Sequence, residues 1–157
     1  MTEEPLYDVF WEGPWPIAEA KPASGHVLYQ LTGMHYAYGA DQLLYIGQTQ
    51  RAHASARLWE HVRAWAADEA DHVSVRLGSI GVFENWDGWR ANTAARYEPA
   101  PDAEIVTAIE RLLIYVHQPA YNSREKTRAR GLPVGTCACS TPGCIVACCL
   151  RLAAAAT

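Results

Sequence analysis

A carboxylate, a guanidinium beside an imidazole, and two phenols stand where this sequence could do chemistry. Glu110 interrupts an apolar stretch in which Ile105, Ile109, Leu112 and Val116 share one side of a helix, with Val106 and Leu113 beside them. At about 100° per residue that stripe centres near Ile109 and Val116, and Glu110 falls at its edge, half sheltered. Arg57 and His61 are one helical turn apart, on one flank of the stripe Leu58, Val62, Trp65. Tyr45 lies inside LLYIGQT, a strand-like run ending on Gly47, and Tyr29 lies in HVLYQLT. A strand needs only apolar residues to pack, so the phenol, the glycine and the polar exit invite a second purpose. Each residue also has a plain structural role: Glu110 as a solvated boundary residue, Arg57 and His61 as surface decoration, Tyr45 as a core tyrosine before a turn glycine.

The elements that would hold these side chains follow from periodicity. HVLYQLT sets Val27, Tyr29 and Leu31 against His26, Leu28 and Gln30, and QLLYIG follows across a loop of about nine residues, which suggests two antiparallel strands. Residues 53–65 read as a helix and HVSVRLGSIG, with Val73, Val75 and Leu77 alternating, as a third strand. Residues 81–101 lack a period and read as a long loop. Asp102 suits the N-cap of a strongly amphipathic helix that Pro119 must stop. Residues 1–24, with WEGPWP at their centre, show no period and read as an irregular arm whose Phe10, Trp11 and Trp15 cover one edge of the core. The order is therefore β-β-α-β-α within residues 25–123, an α+β domain, between the arm and a tail at 124–157.

Composition bounds the partners. With 157 residues the chain has room for one domain with a core rather than two. No apolar run approaches a membrane span and the acidic start MTEEPLYDVF is unlike a signal peptide, so the expectation is a cytoplasmic protein with no membrane partner. The net charge of −4 gives no global pull on a polyanion, so contact with nucleic acid requires a local basic surface. Arg51, Arg57 and Arg63 offer one, and Arg124, Lys126, Arg128 and Arg130 another.

Taken in order, these residues resemble the GIY-YIG nuclease family. VLY at 27–29 stands where the first motif belongs, YIG at 45–47 is the second, RLWEH supplies a helical arginine with a histidine one turn on, and ERLLIYVHQPAYN places a glutamate, an apolar helix, a proline and an asparagine. The resemblance covers residues 25–123. It implies a small three-stranded antiparallel sheet flanked by helices, and hydrolysis of DNA phosphodiester bonds with one divalent ion, Mg2+ or Mn2+. By the resemblance, Tyr29 and Tyr45 would handle the attacking water, Arg57 would face the scissile phosphate, Glu110 would hold the metal, Asn122 would orient nearby groups, and His61 would stand near the nucleophile. All are expected to meet in one shallow pocket.

The assignment is chemically coherent. Hydrolysis builds negative charge on phosphoryl and leaving oxygens, which a guanidinium and a hard cation stabilise. Magnesium keeps several waters, so one carboxylate with substrate oxygens suffices. Only on the order of one phenol in a thousand is ionised near neutrality, so a tyrosine base needs a neighbouring cation, whereas His61 has the better unperturbed pKa. Which of Tyr29, Tyr45 and His61 takes the proton stays open. Gly47 would keep the strand exit low for a phosphate backbone. The chain departs from the family at Val27, where a glycine is usual, and at Gln48, where many relatives have lysine.

The five cysteines, Cys137, Cys139, Cys144, Cys148 and Cys149, crowd into one stretch. In a reducing compartment they suggest a structural Zn2+ before disulfides, although the spacing is no standard CxxC pair, and a reduced tail is the alternative. Arg51 and the run 124–130 would lie along substrate phosphates. Target choice has to come from the arm, the 81–101 loop, the tail, a protein partner or a homodimer. A catalytically weak module that kept the scaffold to bind DNA or protein is the competing reading.

Overall fold

The computed structural model describes residues 6–20, 25, 27–49, 58, 60, 64, 73–82, 102–124, 126 and 150–151. Its centre is an antiparallel sheet: β1 (Leu6–Pro16), β2 (Leu28–His35), β3 (Gly39–Gln48), β4 (Ser74–Val82) and a two-residue β5 (Leu150–Arg151), ordered β3-β2-β4-β1-β5. One helix, α1 (Ala103–His117), covers a face of it. The α+β class is as expected; the sheet is larger, with four long strands rather than three.

The additional strand comes from the stretch expected to be an irregular arm. β1 pairs with β4 from Tyr7↔Val82 to Pro16↔Ser74, with a register shift between Glu12 and Trp15. That irregularity explains the missing period. Tyr7, Val9 and Trp11 pack on the α1 face, whereas Trp15 packs on the other, because the Gly13-Pro14 insertion resets the alternation. Gly13 sits at φ 104°, and a Cβ there would meet the Val75 carbonyl oxygen at 2.9 Å, so the bulge requires glycine. At the far edge Leu150 and Arg151, expected in the tail, pair with Tyr7 and Leu6.

β2 and β3 run antiparallel with Tyr29↔Gly47 and Leu31↔Tyr45 in register. Their connection is shorter than the nine residues expected, since the strands continue to His35 and from Gly39 and leave only Tyr36–Tyr38 as the turn. β2 and β4 are central and buried on both faces. Leu28, Ile46, Ile80, Val9 and Tyr7 meet Val106, Ile109, Leu113 and Ile114 of α1 on one face. Tyr29, Leu31, Val75 and Leu77 meet Val73 and Leu58 on the other. Leu58, from the expected first helix, is helical and buried, in keeping with its place in that stripe.

α1 begins and ends where expected. Asp102 occupies the N-cap position, but its side chain makes no capping bond; its carbonyl accepts from the Val106 N–H at 3.1 Å. Gln118 adopts the left-handed conformation, donates its N–H to the Ile114 carbonyl at 2.9 Å, and Pro119 prevents continuation. The buried face is largely the one periodicity suggested: Ile109, Val106 and Leu113 are buried, and Ile105 and Leu112 pack against the same core. The difference lies at the C-terminal end, where Ile114 is buried and Val116 is 48 % exposed. At about 100° per residue this exchange shifts the centre of the face toward Glu110.

Candidate functional site

The YIG segment lies on β3, the edge strand, and what fastens that edge is Asn122. Its Nδ2 donates to the Ile46 carbonyl at 2.9 Å and its Oδ1 accepts from the Ile46 N–H at 2.9 Å, across 76 positions of sequence. Ala120 and Tyr121 extend the seam with backbone bonds to the Leu43 and Leu44 carbonyls at 3.1 and 2.8 Å. A strand edge left open is a template for foreign pairing, and here residues 120–122 close it at the middle of the motif. Asn122 is buried and engages both its amide oxygen and its amide nitrogen on this task. It holds the backbone between Tyr45 and Gly47.

Tyr29 and Tyr45 sit diagonally on one face, ring centroids 6.0 Å apart and planes 20° from parallel. Tyr29 is 1 % exposed, while Tyr45 is half-buried. Gly47 makes this possible in a way the sequence did not suggest. A Cβ built on it would overlap the Cζ and Oη of Tyr29 and crowd the Tyr45 ring at 2.8 Å. The room that glycine frees is filled by the Tyr29 phenol and is not an open approach for a phosphate backbone.

Glu110 lies on α1, and α1 covers the opposite face from the two phenols. The sheet therefore stands between them, and the single one-faced pocket expected from the motifs is not what the described residues form. Glu110 is half-buried. One turn earlier Thr107 accepts a bond from Gln48 Nε2 at 3.2 Å, tying α1 to the strand exit, and its own hydroxyl donates to the Ala103 carbonyl at 2.8 Å. Gln48 is thus a link between β3 and α1, a role that the sequence did not reveal because it depends on tertiary proximity.

Among the described residues no three His, Cys, Asp or Glu side chains converge as a metal centre. A hard cation held by one carboxylate needs no such cluster, and the half-buried Glu110 is a suitable donor for it. Of the basic residues expected to meet DNA, Arg124 is exposed and Lys126 half-buried, its Nζ donating to the Ala120 carbonyl at 3.3 Å. Arg51, Arg57, His61, Arg63, Arg128, Arg130 and all five cysteines lie outside the described residues.

His117 is a titratable group that the motifs did not flag. Burial pushes its pKa below the ordinary value, and its Nε2 has no hydrogen-bond partner among the described residues. Gln30, 2 % exposed on the α1 face, likewise leaves Nε2 unbonded. No helix among the described residues is long and apolar enough to cross a membrane.

No protein-family model, curated protein or solved structure matches this chain.

Proposed function

We propose that the chain is a metal-dependent DNA endonuclease of the GIY-YIG type, and that its working surface is the exit of β3, beyond the segment that residues 120–122 close, rather than a pocket on one face of the sheet. The observation that carries this reading is the Asn122 clamp on Ile46, which joins the last motif residue to the middle of YIG. A clamp of that kind is what an ordered set of motifs needs if it is to act as one site. In this reading a phosphodiester lies beside the exit of β3, where Tyr45 reaches it from one face and Glu110 from the other. A divalent cation, when bound, neutralises charge that builds on the phosphoryl oxygens. Glu110 is the residue that would hold it. Tyr45, half-buried, is the phenol placed to orient water, and Arg57 and His61 supply the cation and the base that the chemistry asks for.

The burial of Tyr29 supports a second reading, a catalytically weak module that retains the scaffold to bind DNA or protein. A phenol sealed in the core packs well but cannot touch substrate. Incubation of the purified protein with supercoiled plasmid and Mg2+ or Mn2+, beside Glu110→Ala, separates the two. The nuclease reading expects nicking in the parent and a loss of at least a hundredfold in the variant. Absence of nicking with either metal, or nicking that survives the substitution, would leave the binding module.

A further inference from the structure

The β2–β3 turn carries an aromatic cluster that the nuclease reading does not use. His35 and Tyr38 stack, centroids 4.6 Å apart and planes 20° from parallel, and Tyr121 leans on His35 at 5.5 Å. The turn is rigidly tied: the Tyr38 N–H donates to the His35 carbonyl at 3.2 Å and the Ala37 N–H to His35 Nδ1 at 3.2 Å. At its tip Tyr36 is 91 % and Tyr38 70 % exposed, with Met34 half in solvent at 50 %. Exposed aromatic rings are the surfaces on which nucleic-acid bases stack.

We propose that this turn is a stacking platform for unpaired nucleotides of a DNA strand. Base faces are sheltered in a duplex and free in a single strand, so solvent-exposed rings suit the single strand. Two exposed rings on a three-residue turn also offer little of the apolar area that a protein interface buries. Charge supports the choice. Lys126 is anchored at Ala120, next to Tyr121 and hence to the platform, and Arg124 lies exposed on the same segment. Asp41 is the one acidic residue of the hairpin, residues 28–48. The preference for DNA over RNA rests on the nuclease reading; the platform itself does not. As a substrate class, it directs the chain to DNA with a frayed, branched or single-stranded portion.

The test is fluorescence anisotropy of labelled oligonucleotides with the full-length protein in a chelating buffer, where cutting cannot occur. Single-stranded DNA should bind more tightly than a duplex of equal length, and than a base-free strand of equal charge. Tyr36→Ala and Tyr38→Ala, both at exposed positions and expected to keep the parent melting temperature, should each weaken binding by about tenfold or more. Lys126→Gln should lower the salt slope by about 0.7. Equal binding of the base-free strand, unchanged affinity in both tyrosine variants, or no binding at all would overturn the platform; tighter binding of RNA would overturn the choice of DNA. Because no cleavage is involved, failure here leaves the plasmid result standing, and failure of nicking leaves this result standing.

Discussion

Two side-chain arrangements at the edge strand make opposite demands on mutation. Asn122 satisfies both backbone groups of Ile46 in a buried place, so Asn122→Ala leaves a donor and an acceptor stranded. Each such loss costs about 1–3 kcal/mol, which predicts a drop of about 3 kcal/mol in urea unfolding. Asn122→Asp retains the acceptor but sets a carboxylate oxygen against the Ile46 carbonyl, so it should rescue little. A variant within 0.5 kcal/mol of the parent would mean that the clamp is ornamental. Gly47 is constrained by space instead. Gly47→Ala drives a methyl into the Tyr29 phenol and should cost about 1–3 kcal/mol through overpacking. Shortening the neighbour in Tyr29→Val/Gly47→Ala should recover part of that loss, and simple additivity in the double-mutant cycle would contradict the contact. The motif letters were legible in the sequence. Whether Gly47 served substrate or ring was not, because the answer lies on the adjacent strand.

For α1 the question is where the buried face ends. Ile105, Ile109 and Leu112, with Val106 and Leu113 beside them, all pack on the sheet side as periodicity suggests, but Ile114 is buried and Val116 is not. Thr107 bonded to Gln48 and residues 120–122 bonded to β3 fasten the chain to that strand near both ends of the helix. Two identical truncations at different burial test this. Val106→Ala, at 2 % exposure, should lose about 2 kcal/mol, and Val116→Ala, at 48 %, less than about 0.5 kcal/mol, by chemical denaturation. Equal losses would restore the stripe that periodicity favoured. β1 was missed for a related reason: a bulge of one glycine and one proline erases the two-residue period that identifies a strand, while the pairing with β4 survives it.

At the scale of the whole molecule, β1 is a structural member and His117 a source of acid sensitivity. Deleting residues 1–17 removes Tyr7, Val9 and Trp11 from the core and exposes the side of β4, so the shortened chain should fail to show a cooperative melt. A sharp transition near that of the parent would return these residues to the status of an arm. His117 has its folded-state pKa lowered by burial, so the unfolded chain binds the proton more readily. Stability from this group is full above its unfolded value of 6.5 and declines as pH falls from there through the folded value. A charged imidazole in the last turn of a helix is ordinarily favoured by the dipole, but desolvation is the larger effect here. Melting temperature should therefore fall between pH 7 and about 5, and His117→Gln should flatten that decline. An unchanged slope in the variant would assign the acid sensitivity elsewhere.

What the amino-acid order determined by itself was local. It set the strands through Tyr29, Tyr45 and Val75, the span and stop of α1, and the motif residues with their sequence order. These depend on periods of two and 3.6 residues and on backbone rules for proline, which a short window contains. Only tertiary structure decided that β1 completes the sheet, that Gly47 houses a phenol, that the two tyrosines and the helix carrying Glu110 lie on opposite faces of the sheet, and that the hairpin turn lifts two tyrosines into solvent. Each of those depends on which segment becomes the neighbour of another dozens of positions away, and that choice is made by burial and hydrogen bonding in three dimensions.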